Sequence, residues 1–141
     1  MITQFTSNSP EETFAAFERL AASAKAGDIY ALSGDLGAGK TVIAKAIAKA
    51  IGVLETVVSP TFTLMEVYHG RLPFYHFDLY RIEDESELDN LFFEEYWNGN
   101  GVCVIEWAER AEGRLPAQTI TVSIEYAGPS ARSITIEHPN T

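Results

Sequence analysis

The sequence has little of what several classes of protein require. Cys103 is its one cysteine in 141 residues, so no intramolecular disulfide can form, and it lies in an apolar segment typical of a core residue. No run approaches about 18 apolar residues, the minimum for a membrane-spanning helix. Residues 1–5 lack the basic and apolar pattern of a secretory signal. We therefore expect a cytoplasmic protein that does not contact a membrane.

Basic residues and histidines are also scarce. The chain has 10 Lys and Arg against 20 Asp and Glu, which gives a formal net charge of −10. Such a surface repels a phosphate backbone, so we expect no DNA binding, and RNA contact only where a partner supplies positive charge. The 3 histidines lie on separate segments without metal-ligand spacing, which argues against a zinc site.

One glycine-rich segment matches G-x-x-x-x-G-K-[ST], between a predicted strand at 29–33 and a predicted helix from Thr41. Glycines let backbone N–H groups turn toward an anion, and a helix N-terminus adds partial positive charge. We expect Lys40 to reach the β- and γ-phosphates of a nucleotide and Thr41 to ligate Mg²⁺. A glycine-rich turn is the alternative, but the strand and helix around it favour a nucleoside triphosphate site. The expected phosphate-binding residues are Gly34, Asp35, Leu36, Gly37, Ala38, Gly39, Lys40 and Thr41.

The remaining pattern predicts one α/β domain over residues 1–141, a P-loop NTPase-like three-layer fold with a mixed sheet and antiparallel hairpins. Ser9 with Glu12 predicts a helix that continues toward Gly27, and Asp84 with Glu87 predicts the start of another. Hairpins are predicted around Gly70 and around residues 127–130. The strand-like segments are 57–59, 61–69, 71–80, 102–105, 119–126 and 132–138.

Two carboxylates are candidates for chemistry beside the phosphate loop. Glu106 follows the apolar run 102–105, where the carboxyl end of a central strand would face a ligand. We expect it to join Thr41 in a Mg²⁺ shell, and a cap of the next turn is the alternative. Asp78 lies in an alternating segment that places it on one face with His76 and Tyr80. That face is either a site or an ordinary exposed strand surface.

A stiff segment follows the helix after the phosphate loop. Pro60 restricts Ser59 to extended backbone, so Ser59 and Thr61 are displayed side by side. Nucleotide switches place a hydroxyl that senses the γ-phosphate at this point of the chain. A plain transition from loop to strand is the alternative.

Missing motifs narrow the class of nucleotide-binding protein. The N-K-x-D and D-x-x-G motifs expected of a GTPase are absent, and the arginines are scattered. No insertion is long enough for the lid of a small-molecule kinase, and there is no basic track for a helicase or motor. The pattern therefore favours a minimal ATPase that regulates or resets a protein partner.

The same segments resemble the TsaE (YjeE) family of small bacterial ATPases in tRNA threonylcarbamoyladenosine biosynthesis. The resemblance rests on residues 34–41, on S-P-T-F-T-L at 59–64, on Y-H-F-D-L-Y-R at 75–81 and on I-E-W at 105–107. It covers nearly the whole chain. It implies a cytoplasmic ATPase that uses ATP or ADP with Mg²⁺ and acts with the TsaB–TsaD complex, which contacts the tRNA and performs the transfer.

The resemblance also implies roles for single residues. The catalytic residues would be Lys40 on the phosphates, Glu106 on Mg²⁺ with Thr41, and Asp78 on the attacking water. Thr61 would be the switch residue. Adenine contacts would come from Glu12 or Thr13 and from the region of residues 131–132. A nucleotide-dependent protein-binding module with negligible hydrolysis, in which Asp78 contacts a partner, is the alternative function.

Overall fold

A mixed sheet of seven strands forms the centre of the molecule. The computed structural model describes residues 1–35, 39–60, 62–91, 93–111 and 113–139, with the backbone alone at 85 and 90. The strands are β1 (Ile2–Ser7), β2 (Ile29–Gly34), β3 (Met65–His69), β4 (Pro73–Asp78), β5 (Val102–Glu106), β6 (Ile120–Tyr126) and β7 (Arg132–Glu137). The helices are α1 (Pro10–Leu20), α2 (Lys40–Ala50) and α3 (Phe93–Trp97), with 3₁₀ turns at Ala21–Ser23, Glu85–Asn90 and Ala108–Ala111.

The strand order is β1-β7-β6-β2-β5-β4-β3. The central pairs β2–β5, β2–β6 and β4–β5 are parallel, whereas β1–β7, β6–β7 and β3–β4 are antiparallel. The predicted α/β class with a mixed sheet and antiparallel hairpins is therefore confirmed. The parallel pairs matter for function because they bring the carboxyl ends of β2, β4 and β5 to one edge.

Helices lie on both faces of the sheet, which confirms the three layers. Alternate residues of β2 and β5 divide between two apolar clusters, because strand side chains alternate between faces. Tyr30, Leu32, Val102 and Val104 pack with α1 and α2, whereas Ile29, Ala31, Cys103 and Ile105 pack with α3 and the neighbouring 3₁₀ turns. Burial in the second cluster raises the pKa of the Cys103 thiol to about 12, as expected of a core residue.

The first helix begins where its capping residues predict. Ser9 Oγ accepts a hydrogen bond from the Glu12 backbone N–H at 3.1 Å, and Pro10 is the first helical residue. The helix ends at Leu20 and continues as a 3₁₀ turn, so it is shorter than predicted. Strand β1 was not predicted, because it is an edge strand with mostly exposed side chains and no alternating apolar pattern.

Two other segments differ from their predictions. Residues 57–59 are not a strand, and β3 begins only at Met65. Leu64 has a φ of 68°, and its N–H donates to Pro60 O at 2.7 Å, so a turn delays the extended backbone. The helix predicted after Asp84 starts at its capping box, but it is divided into a 3₁₀ turn and α3.

In the part of the chain described, no helix is long and apolar enough to cross a bilayer.

The turn of the β3–β4 hairpin is packed tightly against the end of α2. A Cβ on Gly70 would lie 2.2 Å from Ile51 O, and the adjacent Arg71 N–H already donates to that oxygen at 2.7 Å. A Cβ on Gly128, in the β6–β7 turn, would meet only the Ala131 Cβ at 3.6 Å. The two glycines therefore differ in the space around them.

We predict that Gly70→Ala lowers the free energy of unfolding by about 1–3 kcal/mol, because backbone must move to admit the methyl group. Gly128→Ala, the matched control, should stay within about 0.5 kcal/mol of the parent. Urea unfolding followed by circular dichroism measures both. Equal losses in the two variants would contradict the steric explanation.

Candidate functional site

The candidate site lies at the carboxyl edge of three parallel strands. Glu106, the last residue of β5, is the register partner of Leu32 in β2 and of Asp78, the last residue of β4. Helix α2 begins above this edge, and its N-cap, Gly39, has a φ of 115°, which favours glycine. Parallel pairing thus brings Glu106 and Asp78 together with the first turn of α2, although they lie far apart in sequence.

Glu106 links this edge of the sheet to α2. Its side chain is 3% exposed, and Thr41 Oγ1 donates to its Oε1 at 3.1 Å. Its Oε2 lies 2.5 Å from His76 Nε2, on the neighbouring strand β4. Both bonds described for the carboxylate go to side chains of other elements. This geometry favours the expected pairing of Glu106 with Thr41 over a cap of the following turn.

Lys40 is folded back onto the end of β2. Only 5% of the residue is exposed, and Nζ donates to Gly34 O at 2.5 Å and to Asp35 O at 3.0 Å. Nζ also lies 3.9 Å from the centroid of the Trp107 ring. Burial lowers the pKa of Lys40, and this is opposed by nearby carboxylates, Glu109 first and then Glu106, Asp78 and Asp35.

Asp78 connects the end of β4 to the segment that follows α2. The residue is 3% exposed. Its Oδ2 accepts a hydrogen bond from Ser59 Oγ at 2.9 Å, and its Oδ1 accepts one from the Tyr80 N–H at 3.0 Å. Asp78 is therefore not on an exposed strand surface, and it holds Ser59 beside the carboxyl edge of the sheet.

Two aromatic residues, Tyr80 and Trp107, contact each other at this edge of the sheet, and Trp107 also contacts Lys40. Trp107 follows β5 with a φ of 58°, a left-handed conformation that is strained for a residue other than glycine. Tyr80 lies 4.9 Å from it between ring centroids and is 43% exposed. The prediction that Tyr80 shares a strand face with His76 and Asp78 is wrong, because β4 ends at Asp78. The contact between Trp107 and Lys40 was not predicted.

A pocket of about 330 Å³ opens beside the start of α2. Thr13 and Arg132 line it, and each lies in one of the two regions where the family resemblance implies adenine contacts. Glu12 does not line it, and its Oε2 instead accepts a hydrogen bond from the Asn8 N–H at 3.1 Å. The other lining residues are Ser9, Pro10, Gly39, Val42, Pro129 and Ser130.

Four of the named site residues, Leu36, Gly37, Ala38 and Thr61, lie outside the residues that the structure describes. Gly34 is described, and it has a packing role. A Cβ there would lie 2.6 Å from Ile124 O on β6, so β2 and β6 could not approach as they do. On the other side of β2, Asp35, Glu109 and Glu125 line an open cleft of about 460 Å³.

The family model for "Threonylcarbamoyl adenosine biosynthesis protein TsaE" matches residues 7–134. The chain belongs to the TsaE family. The TsaE protein of Bacillus subtilis (strain 168) is 49% identical over 127 residues, covering 89% of this chain and 79% of that protein. TsaE of Treponema pallidum (strain Nichols) is 44% identical over 110 residues, covering 78% of this chain and 82% of that protein.

A solved structure agrees with this membership. The crystal structure of Bacillus subtilis YdiB matches with a TM-score of 0.86 and 38% identity, covering 99% of this chain and 87% of that chain. Membership of the TsaE family gives the chain a role in tRNA threonylcarbamoyladenosine biosynthesis. The fold and the pathway thus agree with the resemblance drawn from the sequence.

The contact between Trp107 and Lys40 gives an optical prediction. If Lys40 binds phosphates, ATP draws Nζ away from the Gly34 and Asp35 carbonyls, and the emission of Trp107 should change with a saturable dependence on ATP. Trp107→Phe should abolish the change, because the other tryptophan, Trp97, is buried in the core away from α2. Adenosine without phosphates should leave the emission unchanged. A full signal in Trp107→Phe would contradict the prediction.

Proposed function

We propose that this TsaE-family chain binds ATP with Mg²⁺ and hydrolyses it to support turnover of the TsaB–TsaD complex in tRNA modification. The observation that carries the proposal is the convergence of Lys40, Thr41, Asp78 and Glu106 at one edge of the sheet. A cation, a hydroxyl and two carboxylates at a strand–loop–helix junction are the groups that phosphoryl transfer uses.

Lys40 supports phosphate binding through its present contacts. Its ammonium group is held by two backbone carbonyls and an aromatic face, and none of these neutralises its charge. Burial strengthens the attraction of Nζ for an incoming phosphate, because the local dielectric constant is low. We infer that phosphate oxygens replace the two carbonyls as hydrogen-bond partners of Nζ. Backbone N–H groups of the loop, residues 34–39, would donate to the same phosphates.

Thr41 and Glu106 fit a Mg²⁺ ion. They offer a hydroxyl and a carboxylate oxygen 3.1 Å apart, and Mg²⁺ prefers hard oxygen ligands. Among the described residues no group of three or more His, Cys, Asp or Glu could hold a metal alone. Nucleotide phosphates and water would complete the coordination of a Mg²⁺ ion held by these two side chains. When bound, Mg²⁺ would neutralise charge that develops on the phosphates.

The pocket beside Gly39 suits the nucleoside. It is continuous with the start of α2, where the phosphates are proposed to bind, and its lining mixes apolar groups with hydroxyls and one arginine. We propose that adenine and ribose lie there, in contact with Thr13 and Arg132. The Thr13 hydroxyl is already bonded to Ser7 Oγ at 2.6 Å, so Thr13 shapes the pocket rather than donating freely.

A protein partner is consistent with the surface around the site. Phe62 is 85% exposed, and its ring lies 5.7 Å from the Arg81 guanidinium carbon. The net charge of −10 argues against direct contact with tRNA. We propose that TsaB and TsaD carry the tRNA contact in the cytoplasm and that this chain acts on them.

A second function, a nucleotide-dependent binding module with negligible hydrolysis, is favoured by one observation. Both carboxylate oxygens of Asp78 already accept hydrogen bonds, from Ser59 and from the Tyr80 N–H. An aspartate engaged in this way can organise a loop without touching water. The two functions therefore differ in what Asp78 does.

We predict that Lys40→Ala weakens ATP binding roughly ten- to hundredfold, since it removes a charge-assisted contact worth about 1.5–3 kcal/mol. Lys45→Ala is the matched control, because Lys45 is exposed on the same helix. Isothermal titration calorimetry measures both. Equal affinities for the two variants would contradict phosphate binding by Lys40.

We predict that Asp78→Asn binds ATP nearly as the parent does but turns it over at least ~100-fold more slowly, because a positioned acid–base group acts mainly in the transition state. Ser59→Ala removes one bond to Asp78 and leaves the carboxylate, so it should lose less than about tenfold. Phosphate release is measured with and without TsaB and TsaD.

Three outcomes separate the two functions. Loss of turnover in Asp78→Asn alone supports hydrolysis through Asp78. Equal losses of turnover in Asp78→Asn and Ser59→Ala would mean that Asp78 acts by holding the loop at Ser59. Turnover at the parent rate, with lost association to TsaB and TsaD, supports the binding module.

A further inference from the structure

His76 lies in a position where a histidine is difficult to accommodate. It is in the middle of β4, paired with Val104 on β5 and Glu66 on β3, and its exposure is 0%. Its ring lies 6.1 Å from that of Phe74. Its Nδ1 has no hydrogen-bond partner in the described part of the chain. A buried polar atom without a partner costs about 1–3 kcal/mol. His76 is therefore a poor choice for stability alone.

The other ring nitrogen makes a specific contact. Nε2 lies 2.5 Å from Glu106 Oε2, in a buried setting. An ionised carboxylate only accepts hydrogen bonds, so we assign the proton of this bond to Nε2 as the donor. The second carboxylate oxygen, Oε1, accepts from Thr41 at 3.1 Å. One carboxylate oxygen of Glu106 therefore contacts the sheet, through His76, and the other contacts α2, through Thr41.

We propose that His76 is a positioning residue for Glu106: by donating to Oε2, it fixes the rotation of the carboxylate and keeps Oε1 directed at the Thr41 hydroxyl. The inference rests on the proposed Mg²⁺ role of Thr41 and Glu106. The terminal torsion of a glutamate is broad, so a carboxylate without such a bond samples many orientations. Mutations that remove hydrogen bonds to metal-ligating residues typically lower metal affinity or activity by about 10–100-fold.

Two variants separate the hydrogen bond from packing. His76→Gln keeps an N–H donor near the place of Nε2, whereas His76→Leu has similar bulk and cannot donate. Phe74→Leu is the packing control, because it alters a neighbouring ring of the same strand without a bond to Glu106. Glu106→Gln reports the effect of changing the carboxylate itself.

The readout is ADP affinity, measured by calorimetry as a function of Mg²⁺ and also in EDTA. We expect His76→Leu to need about 10–100-fold more Mg²⁺ for the same ADP affinity, with the affinity in EDTA unchanged. His76→Gln should stay within about threefold of the parent, and Phe74→Leu should match it. Urea unfolding should show His76→Leu to be less stable than His76→Gln, because leucine leaves the buried Glu106 Oε2 without a hydrogen-bond donor.

Each result supports or overturns the proposal. A normal Mg²⁺ dependence in His76→Leu, alongside a weakened one in Glu106→Gln, overturns the positioning role and leaves the proposed function intact. Equal defects in His76→Leu, His76→Gln and Phe74→Leu assign His76 to packing and also overturn it. A parent whose ADP affinity does not respond to Mg²⁺ overturns the proposed metal site and this role with it.

A measurement on the parent protein covers the case in which His76→Leu does not fold. Nitrogen-15 NMR of the imidazole rings identifies which nitrogen carries the proton. A proton on Nε2 of His76 supports the hydrogen bond to Glu106. A neutral ring with its proton on Nδ1 overturns it, because Nε2 could then not donate.

Discussion

Parallel pairing of β2, β5 and β4 is the constraint on which the site depends. In the observed register Glu106 lies between Leu32 and Asp78, and successive side chains of a strand point to opposite faces. A slip of one residue in β5 would turn Glu106 away from α2 and bring Ile105 toward Thr41. All five residues of β5 are buried, so such a slip would move apolar and charged side chains into the wrong cluster. The packing of the core therefore determines that the Glu106 side chain points toward α2.

A buried cation in an acidic protein is the second constraint. The net charge of −10 opposes the approach of any anion, so a phosphate site needs strong local positive charge. Lys40 supplies it, and the nearby carboxylates help keep it protonated against the effect of burial. The first turn of α2 adds N–H groups and the positive end of the helix dipole. In the proposed function, this local positive charge would overcome a field that, at longer range, opposes the approach of polyanions such as tRNA.

Short-range features of the fold were predictable from sequence, and most long-range contacts were not. The contact between Thr41 and Glu106 is an exception, because a phosphate loop is expected to have a second acid at the end of a neighbouring strand. The capping residues of α1, the strand before the loop and the position of Glu106 at a strand end depend on neighbouring residues, so they could be predicted. The pairing of His76 with Glu106 joins residues 30 positions apart and depends on β4 lying next to β5. No local pattern specifies that order. Strand β1 was missed for a related reason, since its pairing with β7 specifies it and its own side chains do not.

The distribution of buried polar groups itself points to the site. Among the described residues the buried charged or titratable side chains that are not part of the apolar clusters are Lys40, His76, Asp78 and Glu106. They adjoin one another at the carboxyl edge of the sheet, although burying each one costs free energy. A core selected for stability alone would place apolar side chains there, because a well-packed apolar group is often as stabilising as a buried ion pair or more so. The clustering of these buried polar side chains beside the first turn of α2 therefore indicates a functional site, independently of the sequence motif and of family membership.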